Sequence, residues 1–273
     1  MCGIVGLAGR FEHKETLLAQ SCDRIAHRGP DSRGFWEDAA NGVALGRVRL
    51  AIQDLSEQGH QPMASADQRF MLVFNGEIYN HPQLRLELEQ AGYAHAWRGH
   101  SDTETILAGL MIWGVEETLK RMVGMFAIAV WDRQTRNLVL ARDRFGEKPL
   151  YYGYAPDGLM FASELKALMP LPGFDTQLNR DALALFLRHN YIPAPYSVFK
   201  QVRKLLPGTW VSLSAEQIAT GTWPEPVSYW SALDVARNQP RVQFEQDGDA
   251  VDGLDRVLRQ AIRGQLLSDV PLG

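Results

Sequence analysis

A cysteine at position two, ahead of Gly3 and an apolar run, dictates more about this chain than any other stretch. If the initiator methionine is removed, Cys2 carries both a thiol, with reference pKa about 8.5, and an α-amine, with reference pKa about 7.7 to 8.0. One residue then holds nucleophile and base, because an amine near neutrality is partly uncharged and can take the thiol proton directly or through one water. No histidine partner is needed. Gly3 leaves the backbone beside the sulfur uncrowded, and the run Gly3 to Ala8 predicts a buried strand that holds the terminus in place. Any residue can follow Met1, so this stretch alone leaves an incidental cysteine open.

With 273 residues and 45% hydrophobic content, the chain can fill a sizeable core and carry one large domain, or one domain and part of another. A formal charge of -4, with both signs interspersed, gives no basic field for a polyanion and no polybasic segment, so no nucleic-acid or membrane partner is expected. The first residues lack a basic leader and no apolar run nears about 18 residues, which predicts a cytoplasmic protein. Cys2 and Cys22 are the two cysteines, too few for a disulfide scaffold. Cys22 shares a helical stripe with Leu18 and Ile25 over a predicted helix from Lys14 to His27, and reads as core. The seven histidines show neither paired nor Cys/His metal spacing, so no metal site is expected.

Along the chain, His27 to Ser32 contains Gly-Pro-Asp and reads as a turn. Val43 to Ile52 reads as β, with Arg49 inside an otherwise apolar segment; it needs either a structural ion-pair partner or a ligand carboxylate gripped by two parallel hydrogen bonds. The apolar strand Phe70–Phe74 runs into Asn75-Gly76-Glu77-Ile78-Tyr79-Asn80. Asn-Gly is the strongest short hairpin signal, and on this stretch alone a hairpin is the first reading; the alternative is an oxyanion hole formed by the Asn75 amide and the Gly76 N–H. Ser101 to Glu104 reads as a capping box ahead of Ile106, Leu107, Leu110 and Met111, placing Asp102 in the first helical turn, suited to a ligand ammonium. Short strands at 125–131, 138–141, 151–154, 159–162 and 209–213 are closely spaced, which implies antiparallel pairing. Helices are expected at 163–168, 180–188 and 249–267. Arg142 to Pro149 is a charged loop without phosphate-loop spacing.

Taken together, Met1-Cys2-Gly3-Ile4, Arg28-Gly29-Pro30-Asp31, Arg49-Leu50-Ala51-Ile52, Phe74 to Asn80, Ser101-Asp102-Thr103-Glu104 and Gly146 to Tyr152 resemble the class II glutamine amidotransferases, and within them the glutamine-hydrolysing asparagine synthetases. Order and spacing agree over about the first 190 residues. The resemblance implies an α+β N-terminal nucleophile hydrolase fold, a four-layer αββα sandwich of two antiparallel sheets. It implies that Cys2 attacks the glutamine side-chain amide, that Asn75 and the Gly76 N–H hold the oxyanion, and that Arg49 binds the α-carboxylate. Asp102 with Glu77 would bind the α-ammonium, and the loop Leu50, Ala51, Ile52 and Gln53 would line the pocket.

The expected division is a glutaminase domain over 1–190, a proline-rich linker with a small hairpin over 191–246, and over 247–273 the start of a synthetase domain whose ATP-binding SGGxDS loop is absent from this sequence. No cofactor is expected within these residues; ATP and magnesium belong to that further domain. The expected partners are glutamine and an acceptor carboxylic acid, most simply aspartate, with a sugar uronate as the alternative, and a possible homodimer as in many relatives. A catalytically idle domain kept for assembly or regulation is the remaining alternative.

Overall fold

The computed structural model describes residues 2–238, 244, 246–266 and 269–270. In chain order its strands are β1 (Gly3–Gly9), β2 (Ser32–Asp38), β3 (Val43–Arg49), β4 (Met63–Ala64), β5 (Phe70–Ile78), β6 (Gly124–Asp132), β7 (Asn137–Arg142), β8 (Tyr151–Ala155), β9 (Gly158–Ala162), β10 (Val202–Lys204), β11 (Thr209–Ser214) and β12 (Val227–Ser228). The helices are α1 (Lys14–Arg24), α2 (His81–Gln90), α3 (Asp102–Ile112), α4 (Gly114–Arg121), α5 (Arg180–His189), α6 (Ala215–Thr220), α7 (Ala232–Asn238) and α8 (Asp247–Gln265). The strands form two six-stranded antiparallel sheets, ordered β10-β8-β9-β1-β3-β2 and β12-β11-β7-β6-β5-β4.

Strand alternation explains the layers. From β1, Val5 and Leu7 pack outward against Leu18 and Cys22 of α1, while Ile4 and Ala8 face Val73 and Trp131 of the other sheet. Leu72 and Phe74 of β5 turn the opposite way, onto Ile106, Leu107 and Leu110 of α3. The result is the expected order of helix, sheet, sheet, helix. Each of these buried side chains contributes roughly 1.5–3 kcal/mol, more than the ~1 kcal/mol of one ladder hydrogen bond, so side-chain burial fixes the register of β1. A slip by one residue would turn Ile4 outward and carry Cys2 with it.

Several elements differ from the sequence reading. Asn75-Gly76 is no hairpin but lies inside the nine-residue β5, paired throughout with β6. Gly76 is required by that pairing, since a Cβ there would meet the Met125 carbonyl oxygen at 2.1 Å. The helix expected over 163–168 shrinks to one 3₁₀ turn, Leu165–Ala167. The stretch 191–246 does not act as a linker in its first two thirds. β10 pairs with β8, and β11 pairs with β7 and β12, so this stretch closes both sheets at their edges. Its proline-rich, turn-like stretches gave it a linker-like composition; the strand expected at 209–213 is β11, while β10 and β12 are too short to show a period. Nothing of α8 is buried among the described residues. Of the segment 268–273, only Asp269 and Val270 are described; Ser268, residues 271–273 and Met1 lie outside the described residues.

The charged loop after β7 is a structural knot. The buried Asp143 carboxylate accepts from the backbone N–H groups of Phe126, Phe145, Glu147 and Lys148 at 2.9–3.1 Å. Arg142 donates to the carbonyls of Lys148, Leu205 and Gly146. Together they set where Lys148 emerges. Asp143→Ala leaves several buried N–H groups without an acceptor, at roughly 1–3 kcal/mol each, and should lower unfolding stability by about 3 kcal/mol or more in denaturant titration. An unchanged midpoint would contradict the role of this knot.

Candidate active site

At the Cys2 end of β1 the two sheets enclose a cavity of about 350 Å³, within the range of small-molecule sites. Its wall contains Cys2, Arg47, Arg49, Asn75, Glu77 and Asp102. Alternation accounts for the first five. Ile4 pairs with Arg47 and Gly3 with Val48, so Cys2, Arg47 and Arg49 all lie on the inner face; Asn75 and Glu77 follow Val73 on the inner face of β5. Another cavity of about 260 Å³, at the Gly9 end of β1, has no cysteine or histidine on its wall.

Cys2 is 8% exposed. Its sulfur takes an N–H bond from Arg47 Nη2 at 3.1 Å and from the Leu50 backbone at 3.4 Å, and its S–H is 3.5 Å from the Leu50 carbonyl. Its own carbonyl accepts from Arg28 Nε at 2.9 Å, and Arg28 Nη1 is tied to Glu164 at 2.8 Å. Arg28 therefore does more than shape a turn: it fixes the backbone beside the sulfur. Ile4 is pinned next door, with its N–H on Ser163 Oγ and its carbonyl on the Ser163 N–H.

Asn75 is 1% exposed, and its Nδ2 has no hydrogen-bond partner among the described residues. A buried amide left so costs roughly 1–3 kcal/mol, a penalty that a ligand oxygen in the cavity would remove. Asp102 is buried; its Oδ2 accepts from the Ile78 N–H at 2.9 Å, leaving Oδ1 with a 3.4 Å contact to the Thr103 hydroxyl. Burial pushes the Asp102 carboxyl up to about 6, against the pull of the Ile78 N–H and of Arg47. Burial also raises Glu77, partly offset by Lys148. The capping box is not formed: Ser101 makes no side-chain cap, and Glu104 accepts from the N–H groups of Arg98 and Gly99. Gln61 ties the two halves of this wall together, donating to Thr103 and accepting from the Phe74 N–H, both at 2.7 Å.

Leu50, Ile52 and Gln53 line the cavity. Ala51 is not on its wall; its N–H is spent on Asp31 at 2.8 Å. Arg49 grips this loop, donating to the carbonyls of Gln53, Asp54 and Ser56. Asp54 in turn accepts from the His100 N–H at 3.1 Å and donates its own N–H to Asp269 at 2.7 Å. Sequence reasoning overlooked Arg28, Arg47 and Lys148 as site residues. For Arg47 a signal existed, since it lies two residues before Arg49 on one strand and so on the same face.

Over residues 1–224 the chain matches the family described as the glutamine amidotransferase domain. It is 35% identical, over 100% of its length and 41% of the relative's, to asparagine synthetase (glutamine-hydrolysing) 1 of Bacillus subtilis. It is 30% identical, over 93% of its length and 36% of the relative's, to amidase chry2 of Gibberella zeae. The solved structure of glutamine phosphoribosylpyrophosphate amidotransferase from B. subtilis, complexed with ADP and GMP, superposes with TM-score 0.60 at 19% identity, covering 84% of this chain and 49% of that one. The chain thus shares the fold of that amidotransferase structure. The chain belongs to the glutamine amidotransferase domain family, an enzyme family whose members related to it include glutamine-hydrolysing asparagine synthetases. It spans about two fifths of the length of the relatives it matches, at 41% and 36%. Among the described residues no helix is long and apolar enough to cross a membrane, and no cluster of His, Cys, Asp or Glu could hold a metal ion.

Arg49→Ala should release the 50–56 loop. Three carbonyls lose a charged donor, worth roughly 1.5–3 kcal/mol for such a bond, so about 2 kcal/mol of stability should be lost in denaturant unfolding, with faster amide exchange in that loop. Unchanged stability with lost ligand binding would mean that Arg49 serves the ligand alone.

Proposed function

We propose that this domain hydrolyses glutamine through Cys2, after removal of Met1, and supplies ammonia for the amidation of an acceptor carboxylic acid, aspartate by preference. The observation that carries this reading is a buried thiol sharing one cavity with an unpartnered amide donor, Asn75 Nδ2. The α-amine of Cys2 takes the thiol proton, the sulfur attacks the amide carbon, and Asn75 Nδ2 with the Gly76 N–H stabilises the oxygen anion. Collapse of that intermediate breaks the C–N bond; the proton held on the α-amine leaves with ammonia, and water then hydrolyses the thioester.

The charged ends of glutamine are matched by the wall. Arg49 and the Leu50 to Gln53 loop take the carboxylate end, and Asp102 with Glu77 the ammonium. Ala51 contributes by bracing the loop through Asp31. The preference for aspartate is supported by the names of the full-coverage relatives. Their greater length supports assigning acceptor activation, with ATP and magnesium, to a further unit, to which α8 and the 247–273 stretch belong. Residues up to β12 belong with the glutaminase unit, whose sheets they complete. A homodimer and a cytoplasmic setting are part of the same proposal, carried over from the resemblance.

Ammonia release from glutamine, measured together with N-terminal mass, tests the reading: the active protein should begin at Cys2, and Cys2→Ala should release none above background. Equal release from both would remove Cys2 as nucleophile. Asn75→Ala should cost about 10² to 10³ in kcat with a smaller change in KM.

The raised Asp102 pKa sets a pH limit. Its carboxyl is ionised above about 6 and neutral below, and a neutral carboxyl cannot pair with the glutamine ammonium. KM for glutamine should therefore rise as pH falls through about 6, and Asp102→Asn should raise KM throughout and flatten that limb. A KM profile flat through this range in the unaltered protein would contradict the assignment.

A further inference from the structure

Arg47 is the cavity's unexplained cation. It is 7% exposed, and among the described residues no ion pair joins it to a carboxylate within 4.0 Å. Its Nε and Nη1 are buried without hydrogen-bond partners, while its Nη2 donates to Cys2 Sγ at 3.1 Å. A buried cation is costly unless an anion answers it. The sulfur is the group in hydrogen-bond contact, and the backbone N–H of Leu50 donates to the same sulfur from a second direction. Arg49 and Lys148, the other cations on the cavity wall, act on the sulfur through space without a hydrogen bond to it. Asp102 and Glu77 are the carboxylates facing the same cavity; Arg47 acts on Asp102 through space, with no ion pair to either within 4.0 Å.

We propose that Arg47 is a catalytic residue, its guanidinium holding Cys2 Sγ as a thiolate ready for attack. The proposal rests on the glutaminase reading of this site. The S–H bond breaks with its proton passing to the Cys2 α-amine, and the electron pair stays on sulfur, answered by Arg47 Nη2 and the Leu50 N–H. The sulfur then forms the S–C bond as the carbonyl π pair moves to oxygen. Arg47 gives up no proton at any point, as a guanidinium must.

The test is the rate of Cys2 alkylation by iodoacetamide near neutral pH, followed by peptide mapping, in the protein, in Arg47→Gln and in Arg47→Lys, with glutamine turnover measured alongside. The ultraviolet thiolate band that alkylation removes gives a second readout. Cys22 does not confuse it, because burial raises that thiol to about 12 and keeps it protonated. Losing a hydrogen bond to a charged group should slow alkylation about tenfold or more in Arg47→Gln and abolish the band, with a parallel fall in kcat/KM; Arg47→Lys should recover part of both. A folded Arg47→Gln alkylated at the unaltered rate, with its band intact, overturns the proposal while leaving the glutaminase reading standing. Fast, Arg47-dependent alkylation in a protein that releases no ammonia would do the reverse. Should Arg47→Gln fail to fold, the unaltered protein decides: absence of a native thiolate band overturns the proposal, and its presence, lost on Cys2 alkylation, supports it.

Discussion

The position of one sulfur atom is what the rest of this structure secures. β1 is sandwiched between β3 and β9 and buried on both faces, so the residue just before it is delivered to the mouth of the intersheet layer without any loop of its own. A terminal residue normally frays. Here the Arg28 bond to the Cys2 carbonyl and the paired Ser163 bonds to Ile4 remove that freedom. The position of the Cys2 sulfur is thus a consequence of sheet register, set by the apolar side chains of β1.

Three arginines surround that atom, and their partners sort their roles. Arg28 meets a carbonyl and a carboxylate, Arg49 meets loop carbonyls, and Arg47 meets sulfur. Arg28 Nη2 and Arg47 Nε and Nη1 are all buried without hydrogen-bond partners among the described residues, but of the three arginines Arg47 is the one bonded to the sulfur. Across the cavity burial raises the carboxyl groups of Asp102 and Glu77, against the pull of Arg47 on the first and Lys148 on the second, so the wall carries both cations and carboxyl groups. The proposed substrate, an amino acid zwitterion, carries charges that such a wall can answer.

Much of this was legible in the chain. Cys2, Asn75, Glu77 and Asp102 stand in short ordered motifs, and all reach one cavity wall. Antiparallel pairing followed from the closely spaced strands, and the four-layer architecture from the resemblance. What failed did so for local reasons. Asn-Gly at 75–76 mimics a hairpin because turn propensity ignores the pairing partner; in β5 the glycine answers to the Met125 carbonyl instead. The Ser101 and Glu104 spacing suggested a capping box, but Glu104 is drawn to the N–H groups of Arg98 and Gly99. Arg47 and Lys148 stayed unread because their roles depend on which face of a strand they occupy and on a loop knotted around Asp143, neither of which a motif encodes. Of the last strands β11 was legible from its alternation, while β10 and β12, three and two residues long, are too short for any periodic signal.

The central claim is that the Cys2 sulfur becomes covalently acylated during turnover, and the most direct measurement is the mass of the N-terminal peptide after acid quenching of the protein mixed with glutamine. The account predicts a glutamyl thioester on Cys2 that disappears on exposure to neutral hydroxylamine. A protein that begins at Cys2, consumes glutamine, and shows an unmodified terminal peptide at every time of quenching would contradict it.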